Sequence, residues 1–98
     1  MGALLIINYE TTDLDAMETY RKKGGEELVV KGGGRPLVFT DDTLDLGEGH
    51  GAKMSTVILE FDSVDDAKAA YHGEGYQSIV GERLAASNPG YAQIVETL

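Results

Sequence analysis

Any chemistry in this chain would be built around Arg83. The residues Tyr76, Ile79, Val80, Arg83 and Leu84 recur at helical spacing, which puts a guanidinium inside an apolar stripe. Burying a charge alone is costly, so the arginine needs a partner. A small carboxylate or phosphate ligand would supply one, because a planar fork of N–H donors suits such oxyanions. A salt bridge to Glu60 or Glu10 would also satisfy it, as would a side chain that snorkels to water. Asn8 and Glu60 are the other binding candidates, with Glu10 nearby. They fall on strand faces opposite the oilier ones, and a desolvated Glu60 could act as a general base. An interfacial ion pair or a solvated edge is the alternative, since structural networks also perturb acids.

The remaining chemical residues say less. His50 lies in a glycine-rich loop, and His72 falls at a predicted helix end where the dipole favours its cation. Either could move a proton, and His72 joins Glu60 as a catalytic candidate. Their spacing fits no ligand motif, so neither a metal nor a cofactor is expected. Asp41, Asp42 and Asp45 miss the calcium-loop register: Gly47 is one place late, and Ala52 stands where glutamate is required. Gly32–Gly34 lacks the Gly-Lys-Ser/Thr sequence of a phosphate loop and reads as a helix stop. Tyr9, Tyr20, Tyr71 and Tyr76 read as core and interface aromatics. The chain has no cysteine, which excludes thiol catalysis and redox switching. No serine sits in a nucleophile elbow.

The elements that position these groups are organised around Ser55–Tyr76. Val57, Leu59 and Phe61 alternate with Thr56, Ile58 and Glu60, the period of a strand. Ser63 follows as a helix cap, with acids in the first turn. Val64, Ala67, Ala70 and Tyr71 then recur at helical spacing until Gly73-Glu74-Gly75 ends or bends the helix. Upstream, Leu4–Glu10 alternates as strand one, with Leu5, Ile7 and Tyr9 on one face. Thr12 or Asp13 caps the next helix, whose apolar stripe is Leu14, Met17 and Tyr20. Gly24-Gly25 weakens it, Glu26–Lys31 resumes it, and the glycine triplet stops it. Leu37–Thr40 is a short strand with Pro36 at its start. Asp41–Gly51 reads as a hairpin or mobile loop, with room for a short strand at Thr43–Leu46. The Arg83 helix is stopped by Ser87-Asn88-Pro89-Gly90, and Tyr91–Thr97 alternates as strand four.

The order β, α, β, β, α, β predicts an α+β ferredoxin-like plait, one domain over residues 1–98 with helices on one face of the sheet. The other face would carry Leu4, Ile6, Ile58 and Ile94. Water should not see these residues, so a second copy is expected to cover them as a homodimer. With 98 residues, 42% of them hydrophobic, a core without disulfides is within reach. The net charge of −9 opposes nucleic-acid backbones and anionic membranes. Ala3–Ile7 is apolar but follows no basic segment, and reads as a strand rather than a signal peptide. A cytoplasmic location is therefore expected.

Tyr20-Arg21, Gly33-Gly34-Arg35, Phe61, Ser63, Ala67, Tyr71, Tyr76-Gln77, Arg83 and Ala86 together resemble the bacterial family called domain of unknown function 1330, nearly end to end. That resemblance implies a dimeric α/β barrel, in which two plaits pack sheet to sheet. It implies no established reaction; monooxygenases and isomerases of the wider group work in the barrel cavity, which is analogy only. The expectation is a small homodimer that binds a small organic anion at a barrel cavity, with Arg83 as anchor and Glu60 and Asn8 as polar floor. A cofactor-free monooxygenase- or isomerase-like enzyme, with Glu60 or His72 as base, is one alternative. A structural or protein-binding dimer with a filled barrel is the other.

Overall fold

The computed structural model describes residues 2–48 and 53–98. Strand β1 (Ala3–Thr11) leads into helix α1 (Leu14–Gly25), which continues as a π-helical turn over Glu26–Val30. Strands β2 (Arg35–Thr40) and β3 (Ser55–Phe61) follow, then α2 (Val64–His72), α3 (Glu74–Gln77), α4 (Val80–Ala85) and β4 (Ser87–Glu96). The sheet order is β2-β3-β1-β4, and every neighbouring pair is antiparallel. This is the ferredoxin-like α+β fold.

The core lies between the sheet and its helices. Along β1 the odd residues Ala3, Leu5, Ile7 and Tyr9 are buried against the helices, joined by Leu59 and Phe61 from β3. Met17 and Tyr20 of α1, Leu28 of the π turn, Ala67 of α2 and Tyr76 of α3 close over them. Both expected caps form where local hydrogen bonding favours them. Asp13 Oδ1 accepts from the Ala16 amide at 3.1 Å, and Ser63 Oγ accepts from the Asp66 amide at 3.0 Å.

Several expectations need correction. Ile94 does not lie on the uncovered face: it pairs with Leu5 and packs against the core. The β4 residues on the open face are those opposite Leu4, Ile6 and Asn8, namely Val95, Gln93 and Tyr91. The Arg83 stripe is not one helix. Its residues divide between α3 and α4, with Ile79 as the cap of α4, so Leu84 turns out to solvent, as does Leu14 at the start of α1. Thr43–Leu46 forms no strand.

The largest boundary difference is in β4, which starts at Ser87 and runs through Pro89-Gly90. Tyr9 of β1 faces both of those residues, since the register shifts between Asn8 and Glu10. A bulge on an edge strand tolerates a proline that has no N–H to give. Gly90 is required for a different reason: a Cβ there would collide with the Asn8 carbonyl. The other edge strand, β2, carries a similar shift between Pro36 and Val38.

Gly90→Ala is therefore expected to destabilise the protein by about 1–3 kcal/mol, the usual cost of overpacking. Urea denaturation measures it, and an unchanged midpoint would show that β4 lies less tightly on β1 than described.

Candidate functional site

Arg83 is buried at 4% exposure, yet has no ion pair among the described residues. Its Nε is buried without a hydrogen-bond partner. One terminal nitrogen reaches the Tyr71 hydroxyl at 3.5 Å, the outer limit of a hydrogen bond. Neither expected carboxylate partner is engaged with it. Glu60 accepts from Arg35 at 3.2 Å, and Glu10 accepts from Asn88 at 2.8 Å.

The groups around Arg83 are phenols. The Tyr20 and Tyr76 hydroxyls hydrogen-bond to each other in the core, with the rings edge to face at 6.3 Å between centroids. Burial pushes the Tyr76 phenol above its ordinary range, against the opposing pull of the Arg83 charge. Burial, followed by the neighbouring Tyr76, drives Tyr20 further still. Both phenols are therefore neutral at pH 7 and offer Arg83 no counter-charge. The guanidinium lines a pocket of about 330 Å³ under the β4 bulge, together with Tyr9, Tyr71, Ser87, Pro89 and Tyr91. A buried cation, a hydroxyl or two and aromatic walls can hold a small organic anion.

The other predicted site residues are elsewhere. Asn8 pairs with Thr56 and Leu4 with Glu60, which puts Asn8 and Glu60 on the open sheet face, across the sheet from Arg83. Asn8 is buried and donates to the Ser55 carbonyl at 3.2 Å and to Thr56 Oγ1 at 3.0 Å. Glu60 is partly exposed beside Arg35, which also pairs with Asp62 at 2.9 Å. His72 packs edge-on against the Tyr71 ring at 5.3 Å and lines neither this pocket nor the one under β2 described below. His50 lies outside the described residues. Among the described residues, no group of three His, Asp or Glu side chains could hold a metal, and no helix is long and apolar enough to cross a membrane.

Sequence reasoning missed Arg21. It falls one helical step beyond Met17, as Arg83 falls beyond Ile79 and Val80, so the argument that singles out Arg83 applies to it too. Its terminal nitrogen bonds Asp41 at 2.6 Å and Glu18 lies at 3.1 Å. Its Nε and the same terminal nitrogen donate to the Tyr9 hydroxyl at 3.4 and 3.3 Å. The guanidinium stacks over the Phe39 ring, 4.7 Å from its centroid. Burial pulls its pKa down, but the Tyr9 and Asp41 hydrogen bonds outweigh that and leave it raised. Arg21 is thus a fully compensated cation, in contrast to Arg83.

The family described as Domain of unknown function (DUF1330) matches residues 2–98. No curated protein matches the chain. Among solved structures, a protein of unknown function from Rhodopseudomonas palustris superposes with a TM-score of 0.75 at 17% identity, over 99% of this chain and 83% of its own. A Caulobacter crescentus protein described provisionally as an antibiotic biosynthesis monooxygenase has a TM-score of 0.68 at 10% identity, over 99% and 90%. A dimeric protein of unknown function with a ferredoxin-like fold, from Bacteroides fragilis, has a TM-score of 0.63 at 16% identity, over 98% and 96%. At these identities the likeness is one of fold.

The Arg21–Asp41 clamp generates a pH prediction. Asp41 accepts from Ser55 Oγ at 2.7 Å, and that bond, then the one from Arg21, holds its carboxyl below the usual range. A depressed folded-state pKa adds stability above the unfolded value of about 3.9, and this is lost as the pH falls through the folded value. Asp41→Asn is expected to flatten part of the stability loss as the pH falls below about 5, measured as urea midpoints. An equal loss in both proteins would mean that the clamp contributes nothing.

Proposed function

The chain belongs to the domain of unknown function 1330 family, and from that footing we propose that it is a homodimeric binding protein for a small organic anion. The observation that carries this is the lone guanidinium of Arg83, buried beside a pocket lined by tyrosines and by no carboxylate. An uncompensated buried charge is a standing cost unless something else occupies the pocket. One cation in a chain of net charge −9 favours a singly charged carboxylate over a polyphosphate, because the surrounding field repels dense negative charge. Tyr71 and Pro89 would hold a flat organic body.

The homodimer is supported from two sides. The open sheet face carries Leu4, Ile6 and Ile58 at its centre, a surface that needs cover. Ferredoxin-like neighbours from Bacteroides fragilis and Thermobifida fusca are described as dimeric. Asn8 and Glu60 would then face the space between two sheets rather than the Arg83 ligand. A cytoplasmic site of action fits a chain without cysteine. An enzymatic role is not favoured, because neither Glu60 nor His72 lines the Arg83 pocket.

Native mass spectrometry of the protein purified from its host tests both halves. A dimer carrying a small-molecule increment is expected, and a monomer would overturn the covered sheet face. Arg83→Met is expected to abolish binding of benzoate while raising the stability of the empty protein by about 1–4 kcal/mol, the range seen when buried ions give way to apolar side chains. Retained benzoate affinity in that variant would overturn the anion site.

A further inference from the structure

A second pocket, of about 190 Å³, lies under the other edge strand. It sits between the helix face of β2 and β3 and the ramp formed by α1 and the π turn, and its walls include Ile7, Leu28, Val29, Phe39 and Leu59. Its chemistry is opposite to that of the Arg83 pocket, being almost wholly hydrocarbon. It opens to solvent on the side of Val38 and Phe39, both exposed. An apolar cavity of about 150 Å³ lined by such side chains stays dry and takes benzene.

Two features keep this space open. Gly25 has helical dihedrals, φ −60° and ψ −42°, so its backbone has no need of glycine. Gly25 lines the exposed rim of the pocket, and a Cβ built there would meet nothing within 4 Å, so a larger side chain fits at the rim without a clash. Glycine weakens a helix interior, so this position leaves room at a cost in helix stability. Directly after it the helix widens: the Lys31 amide bonds back to the Glu26 carbonyl at 2.9 Å, five residues earlier. Such π turns are often found at functional sites, and this one supplies Leu28 and Val29 to the wall.

The pocket has one polar end. Tyr9 is 2% exposed and its hydroxyl accepts from Arg21. The phenol's own proton has no acceptor among the described residues. Arg21 is already neutralised by Asp41 and Glu18, so this end calls for a hydrogen-bond acceptor and not for an anion.

We propose that this pocket binds an uncharged, single-ring molecule bearing one oxygen acceptor, of the aryl ketone class, with the Tyr9 hydroxyl donating to that oxygen. The site is separate from the Arg83 anion site, although Tyr9 stands in the wall of both. Titration of the protein with acetophenone, followed by amide NMR, tests it. Saturable shifts are expected at Gly24, Gly25, Leu28 and Val29. Gly25→Leu fills the space without a backbone clash and should weaken acetophenone by about tenfold or more, the scale of burying one apolar group, while leaving benzoate binding unchanged.

Tyr9→Phe should erase a preference of about threefold to tenfold for acetophenone over isopropylbenzene, the span of one net hydrogen bond. Absence of saturable shifts at these amides, or acetophenone affinity unchanged in Gly25→Leu, would overturn the site. A preference that survives Tyr9→Phe would overturn the assigned donor. Loss of benzoate binding alone would count against the Arg83 reading and not against this one.

Discussion

The hydroxyl-to-hydroxyl bond between Tyr20 and Tyr76 joins the helical layer. Each phenol is buried, and each would leave an unsatisfied polar group if the other moved away. The bond therefore fixes α1 against α3 across the core. It also sets the place of α4, which follows α3 after two residues and carries Arg83. Because both phenols are held neutral, the arginine beside them receives hydroxyl oxygen but no charge. One packing constraint thus both orders the helices and leaves a cation uncompensated.

The two edges of the sheet complete the arrangement. Each edge strand carries a register shift, and bulges bend a strand and re-aim its side chains. A pocket opens beneath each one, and Tyr9 of β1 lines both. On the β4 side the nearby cation is lone; on the β2 side it is paired with two carboxylates and stacked on an aromatic ring. The same side-chain type is therefore left without an ion pair at one edge and is fully paired beside an apolar pocket at the other.

The sequence disclosed the parts of the fold that local chemistry controls. Alternation along β1 and β3 sorted Leu5, Ile7, Leu59 and Phe61 to the core, and Ser63 capped α2, because period and capping act over a few residues. Arg83 was legible because a charge in an apolar stripe has no bland local explanation. Its partners were not legible. Asn8 and Arg83 were expected in one site, although Asn8 has the parity that faces away from the helices. The alternation of β4 put Ile94 on the wrong face: Tyr91, Ala92, Ile94 and Val95 place apolar residues on both parities, and the choice is made by the bulge at Pro89-Gly90. The break between α3 and α4 was hidden because their apolar residues keep helical spacing across it. Arg21 shares the local signal of Arg83, but nothing local announces its ion pair with Asp41, twenty residues away.

The central claim is that Arg83 is a cation waiting for an anion, and the atom that reports on it most directly is its own Nε. The ¹⁵N-edited NMR signal of that N–H can be followed while benzoate is added to the protein at neutral pH. The account predicts a saturable downfield shift of the Nε proton as it gains a charge-assisted hydrogen bond. A signal that does not move at saturating benzoate, or one that already lies at the hydrogen-bonded position in the empty protein, would contradict it.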